Sequence, residues 1–412
     1  MPLRNLAILS ILGCIAAAAG AETFALRGFV TGSGGYSTGQ ATWLRGGFGR
    51  FDRGGVAPDR GKGDPFAGIQ LGVDWQPVPH LLVHAHGLAR AEPSDSHGRR
   101  AGLVSAYVEA DFDRGRNDFR FRAGQFFLGT SRENTGDLWS SPYTITHSAL
   151  NTWIGQEVRP VGVNGEWHLL TSTALITTAI TAFRGNDSMG ALLAWRGWTL
   201  GNRLSVYDEV LPLPPLRSLQ TNFPKQRRDG TVPFESDLDG RTGYSARVRY
   251  AIPERFNIQF IRLDNRGDRQ LHRGEYAWQT QFDDIGAEAH FSDTTLLAEW
   301  MGGSTTMGPT IGGVNAGFYA AYVLASQHSG RNRFSARYDL FATQDRRPFH
   351  RGEYDEHGRA WTLAWLFDLR PHWRVGTEFT QVVGTHNEAE DAGFSRVIDG
   401  RSYTVEVRYS VK

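Results

Sequence analysis

Cysteine is all but missing from this sequence. Cys14 is the single one in 412 residues, and it sits in an apolar run at the amino terminus. No disulfide can close within the chain, so the fold must rest on packing, hydrogen bonding and solvent. Lysine is nearly as scarce, with only Lys62, Lys225 and Lys412, and arginine carries the positive charge. Arginine suits fixed contacts to carboxylate or phosphate. Neither sign dominates, since the formal net charge is +1, and the basic footprint of a nucleic-acid-binding protein is absent. Beyond residue 21 no stretch approaches the roughly 18 consecutive apolar residues that a spanning helix needs. Enzyme signatures are missing as well. No strand-to-helix nucleophile elbow is read in the chain. The glycine-rich "GSGG" and "GGFGRFDRGG" within 32–55 lack the Lys-Ser/Thr of a phosphate loop, and read as a flexible first surface loop. His84 and His86 point to one side of a strand, but two ligands do not define a metal site. No cofactor is implied.

What the chain has in quantity is glycine and aromatics: 49 Gly, 24 Phe, 13 Tyr and 12 Trp. That composition suits a turn-rich all-β protein. The opening "MPLRNLAILSILGCIAAAAGAETF" combines Arg4, an apolar run and the small residues Ala19-Gly20-Ala21. It reads as a secretory signal peptide over 1–21, cleaved after Ala21, which makes the protein an exported one.

From residue 22 onward, period-2 segments of about ten residues recur between polar clusters, as in strands with one apolar and one polar face. "FAGIQLGVDW" (66–75) sets Ala67, Ile69, Leu71, Val73 and Trp75 on one face. "GLVSAYVEADF" (102–112) sets Val104, Ala106, Val108, Ala110 and Phe112 against Tyr107, Glu109 and Asp111. "GFYAAYVLA" (317–325) carries Phe318, Ala320, Tyr322 and Leu324 on one parity. Connectors alternate between short ones, such as 253–254, and long polar ones at 32–64, 90–99, 129–153, 208–240, 264–273, 302–313, 343–358 and 384–400. This asymmetry predicts a transmembrane antiparallel β-barrel with short periplasmic turns and long extracellular loops. The count is 16–18 strands, 18 preferred, because "LLAWRGWTLGNRLSVY" (192–207) reads as an irregular strand or a tight hairpin. At this size the lumen can stay open and water-filled.

The last stretch, "RSYTVEVRYSVK" (401–412), alternates Tyr403, Val405, Val407 and Tyr409 with Thr404, Glu406, Arg408 and Ser410. With the leader, the alternating strands and the loop asymmetry, it resembles the Gram-negative outer-membrane porins over the whole of 22–412. Val411-Lys412 departs from the aromatic ending of that family's last strand. The resemblance implies outer-membrane localisation among lipids and lipopolysaccharide, with strand 401–412 engaging the barrel-assembly machinery. It further implies passive diffusion of small hydrophilic solutes or ions, a homotrimer, and a third loop (129–153) that folds inward and narrows the pore. A barrel-borne lipase or protease and a non-conducting adhesin or scaffold are the alternative functions.

In a barrel the polar parity faces the lumen. It supplies Arg27, Glu109, Asp111, Arg120, Arg122, Arg247, Arg249, Glu288, Glu299, Arg337, Asp339, Arg374, Glu378, Glu406 and Arg408 as pore-lining candidates. Glu109 is expected beside Arg120 across the turn at 113–117. In the third loop, Glu133 and Asp137 are expected to face Arg120 and Arg122 and set up a transverse field. The arginine-rich stretches 97–100, 225–229, 266–274 and 345–352 suit lipopolysaccharide phosphates.

Overall fold

The computed structural model of the chain describes residues 23–91, 98–221, 223, 230–231, 237–348 and 352–411. The leader at 1–21 and the arginine-rich 225–229 lie outside them. The barrel strands, numbered in chain order, are β1 (Thr23–Gly39), β2 (Ala57–Val78), β3 (Leu81–Ala91), β4 (Ala101–Arg114), β5 (Asn117–Gln125), β6 (Val161–Leu170), β7 (Leu175–Arg184) and β8 (Gly243–Ile252). They continue as β9 (Phe256–Asp264), β10 (Trp278–Phe291), β11 (Thr294–Met307), β12 (Val314–Ser329), β13 (Asn332–Asp345), β14 (Glu356–Arg370), β15 (Trp373–His386) and β16 (Val397–Val411). Each pairs antiparallel with its sequence neighbour, and β1 closes on β16 through the ladder Gly28↔Val411 to Ser37↔Ser402. Closure joins the two end strands of the sheet along this ladder, as a sheet surrounded by lipid requires. Among the described residues no helix is long and apolar enough to cross a membrane.

All tight turns (79–80, 115–116, 171–174, 253–255, 292–293, 330–331, 371–372) fall at one end and all long connections at the other. Outward side chains on the closing strand are Tyr403, Val405, Val407 and Tyr409, all exposed. Exposed aromatics ring the turn end (Phe112, Trp167, Phe291, Phe334, Trp365) and recur toward the loop end (Tyr36, Tyr244, Trp361), as the two interfaces of a bilayer favour.

The strand count is sixteen rather than the preferred eighteen. Residues 154–207 contribute only β6 and β7 to the wall, and the apolar 192–207 stretch belongs to the 185–242 connection. Its residues from Leu192 to Leu200 are buried: helix α2 (Ala191–Trp195) and Trp198 pack inside the barrel instead of pairing as strands. The 126–160 connection also enters. Its helix α1 (Ala149–Glu157) is buried on every residue, and Ser148 caps it by accepting the Asn151 N–H at 3.2 Å. Trp153 of α1 meets Phe318 of β12 at 5.4 Å between centroids, Phe282 of β10 at 5.6 Å and Trp198 at 6.0 Å. Emptying a core tryptophan of this kind costs about 3–5 kcal/mol.

This apolar core is why two face readings need correction. Phe318, Ala320, Tyr322 and Leu324 point inward, while Tyr319 and Val323 meet the outside. Val104 is fully buried too, because the β3–β4 register slips between His86 and Gly87 and turns it toward Leu204 and Val206. The glycine-rich first connection is likewise folded in, with Trp43, Leu44 and Phe48 buried. Close approach has one clear requirement at Gly190, with φ +94°, where a Cβ would lie 2.1 Å from the Thr305 hydroxyl.

Candidate functional site

The inward charges form two groups. Near the turn end, strand register and short turns pair them across neighbours. Glu109 lies opposite Arg122 and Asp111 opposite Arg120, with ion pairs at 2.5 and 2.8 Å. Glu109 also reaches Arg120 at 3.3 Å, as expected. Arg247 pairs with Glu166 at 2.9 Å, Arg249 donates to Asn257 at 3.0 Å, and Glu288 pairs with His290 at 2.9 Å. Arg27 pairs with Asp74, which also binds His84 at 2.6 Å. His86 bonds Gln70 at 3.0 Å, so each of the two strand histidines has its own polar partner.

The second group fastens the third loop to the wall. Arg337 is fully buried between Glu133 (2.6 Å) and Asp339 (2.8 Å). Asp339 accepts the Ala149 N–H at 3.0 Å, at the first turn of α1. Glu378 accepts the N–H groups of Ile145 (2.6 Å) and Thr146 (3.1 Å), and Glu299 those of Arg132 (3.2 Å) and the Tyr322 hydroxyl (2.7 Å). Four wall side chains expected as pore charges are thus spent on loop backbone or on Glu133. Glu133 does not face Arg120 and Arg122, because the loop carries it across to β13. Asp137 instead lies 4.0 Å from Arg27. His147, also in the loop, is held neutral, since burial drops its pKa to about 4.

Between these groups a slot open to solvent lies on the β16–β1–β2–β3 side. Its arginines are Arg45, Arg53, Arg90, Arg203 and Arg408, and its acids Asp52, Asp64 and Glu406. Arg45 and Arg53 come from the first connection, and Arg203 from the fourth. Register places Arg408, Thr31, Gly68 and Arg90 in one row across four strands. Arg90 is fully engaged, donating to the carbonyls of Arg99 and Leu204 and to Glu209 at 3.1 Å. Glu209 resists burial through Arg203 and Arg90, which hold its pKa below the ordinary carboxylate range. Arg53 stacks 4.3 Å above Phe66, and Arg408 4.4 Å above Phe29. Arg374 and Arg408 share Glu406 at 3.8 and 3.2 Å.

Of the slot charges, only Glu406 and Arg408 were among the sequence candidates. Asp64 and Arg90 lie on β2 and β3, in stretches read as the connectors 32–64 and 90–99; the others sit in loops where no periodicity marks direction, and "GGFGRFDRGG" looked like open surface chain. The spelling Gly-x-Ser-x-Gly does occur, at Gly35–Gly39. It lies within β1, where the Ser37 hydroxyl bonds Ser402 at 2.9 Å, without the strand-to-helix turn of an elbow.

Fold and site define a closed transmembrane-type barrel with charged walls and loops packed in its lumen. Solved structures place that fold among the outer-membrane porins. The chain is similar to Salmonella typhi OmpF in complex with daunomycin, at a TM-score of 0.55 and 10% identity over 94% of this chain and 97% of that one. It is similar to the anion-selective porin of Comamonas acidovorans at 0.53 and 9%, over 95% and 100%. It is also similar to OmpT, an outer membrane protein of Vibrio cholerae, in its trimer form, at 0.52 and 8%, over 95% and 100%. No protein-family model and no curated protein matches the chain.

Proposed function

We propose that this protein is a narrow diffusion channel of the outer membrane, passing small hydrophilic solutes or ions along the slot beside β1. One observation carries the reading: inside a closed barrel whose other side is filled by its own loops, a slot lined with charge stays open to solvent. The third loop, 129–153, acts as the constriction, because its anchors to Arg337, Asp339 and Glu378 hold it against the far wall. The charges at the turn end hydrate the passage: Glu109 with Arg120 and Arg122, and Arg247 with Glu166, offset one another, while Arg249 bonds Asn257. A homotrimer fits the outward faces of β1 and β3, where Gly32, Gly34, Ala85 and Ala89 leave a low surface for a second copy. Purified protein in planar lipid bilayers should give discrete, small single-channel steps in potassium chloride. Absence of channel events from correctly folded protein would overturn the reading.

A further inference from the structure

The slot holds more than a balance of charge. Its arginines outnumber its acids five to three, and they differ in what they have left to offer. Arg90 has its guanidinium taken up by two carbonyls and a carboxylate. Among the described residues Arg408 makes no side-chain hydrogen bond. Its contacts are an ion pair with Glu406 at 3.2 Å and the face of Phe29, and its Nε is buried without a partner. Glu406 is shared with Arg374, so two guanidinium groups answer one carboxylate.

A buried guanidinium with unused N–H donors is an anion site, and its planar fork matches a carboxylate in two parallel bonds. The surroundings narrow the ligand further. The same slot presents Phe29, Phe66, Leu88 and Trp139. Phe29 already holds the Arg408 guanidinium on its face and Phe66 that of Arg53, so the apolar surface left for a solute's body is that of the half-buried Phe66 and Trp139. An inorganic anion would use the arginine and leave these faces wetted. A cation would meet the excess positive charge.

We infer that Arg408, on its Phe29 platform, forms a binding site within the passage for small organic carboxylates that carry an apolar or aromatic body. The site rests on the channel reading and gives that passage its solute class. Transient binding of this kind raises flux at low solute concentration, provided the solute also leaves readily.

Benzoate is the probe, added to protein in planar bilayers carrying a potassium chloride current. It should block the current in a saturable manner, with acetate at least tenfold weaker and benzylammonium without effect. Arg408→Gln should weaken the benzoate block at least tenfold and move the reversal potential in a salt gradient toward cation preference. Arg408→Lys keeps the charge and should keep the reversal potential, yet lose most of the block, because lysine has no planar fork. Phe66→Ala should shrink the difference between benzoate and acetate while leaving acetate block unchanged. Benzoate block of equal strength in wild type and Arg408→Gln would overturn the site and leave the channel standing. A protein without chloride current would overturn the channel reading itself.

Discussion

Glu157 shows how single groups tie this interior together. Its carboxylate accepts the Trp153 indole N–H at 2.5 Å and the N–H groups of Gly190 (3.0 Å) and Leu192 (3.1 Å), joining α1 to the 185–242 connection. Burial raises its pKa to about 7 despite these donors and the nearby Arg196. A carboxyl raised on folding holds its proton more tightly in the folded state than in the unfolded one. Its contribution to stability is therefore full below its unfolded value of 4.5 and is lost as pH climbs through about 7. One such group gives a slope of at most about 1.4 kcal/mol per pH unit. The thermal midpoint, followed by heat-modifiable gel mobility, should fall between pH 5 and pH 7.5. Glu157→Gln should reduce that fall, and a variant with the wild-type slope would contradict the assignment.

At the scale of elements, the third loop is held by charge rather than by apolar contact alone. Arg337 bridges Glu133 of the loop and Asp339 of β13, with no exposure to water. Removing one member of a buried ion pair strands the others, at about 3–5 kcal/mol. Arg337→Met should keep the barrel, since no strand hydrogen bond is touched, and loosen residues 131–149. Limited proteolysis within that segment and larger, noisier conductance steps would report the release; an unchanged protease pattern would refute it. The wall strands were legible in the sequence because lipid outside and water or loop inside impose a period of two, clearest at Tyr403, Val405, Val407 and Tyr409. The interior was not. Once loops fill a lumen, inward positions such as Phe318 become as apolar as outward ones, and period two no longer tells the faces apart. The same burial lets 192–207 imitate strands, which is where the two extra ones came from. Glu406 and Arg408 could be placed from parity, whereas the partner of Glu133 depends on the path of a loop that local sequence does not set.

As a whole molecule, the protein is two nested solids, a sheet facing lipid and a plug of its own loops facing the sheet. Replacing residues 186–240 with a short Gly-Ser linker would remove α2, Trp195 and Trp198 from the lumen. Bilayer conductance should rise several-fold and the thermal midpoint should fall, as Phe282, Phe318 and Trp278 meet water. A conductance equal to wild type would place the conducting path elsewhere. The seam where the sheet closes bears on assembly in time. Ser37 and Ser402 bond across 365 residues of chain, and bringing ends so separated together costs about 5 kcal/mol of chain entropy before any contact repays it. The earliest barrel strand to leave the ribosome is thus the one whose second neighbour arrives last. Until the sixteenth strand is made its outer flank stays an open invitation, and that flank must be kept from accepting the wrong guest until the ring can shut.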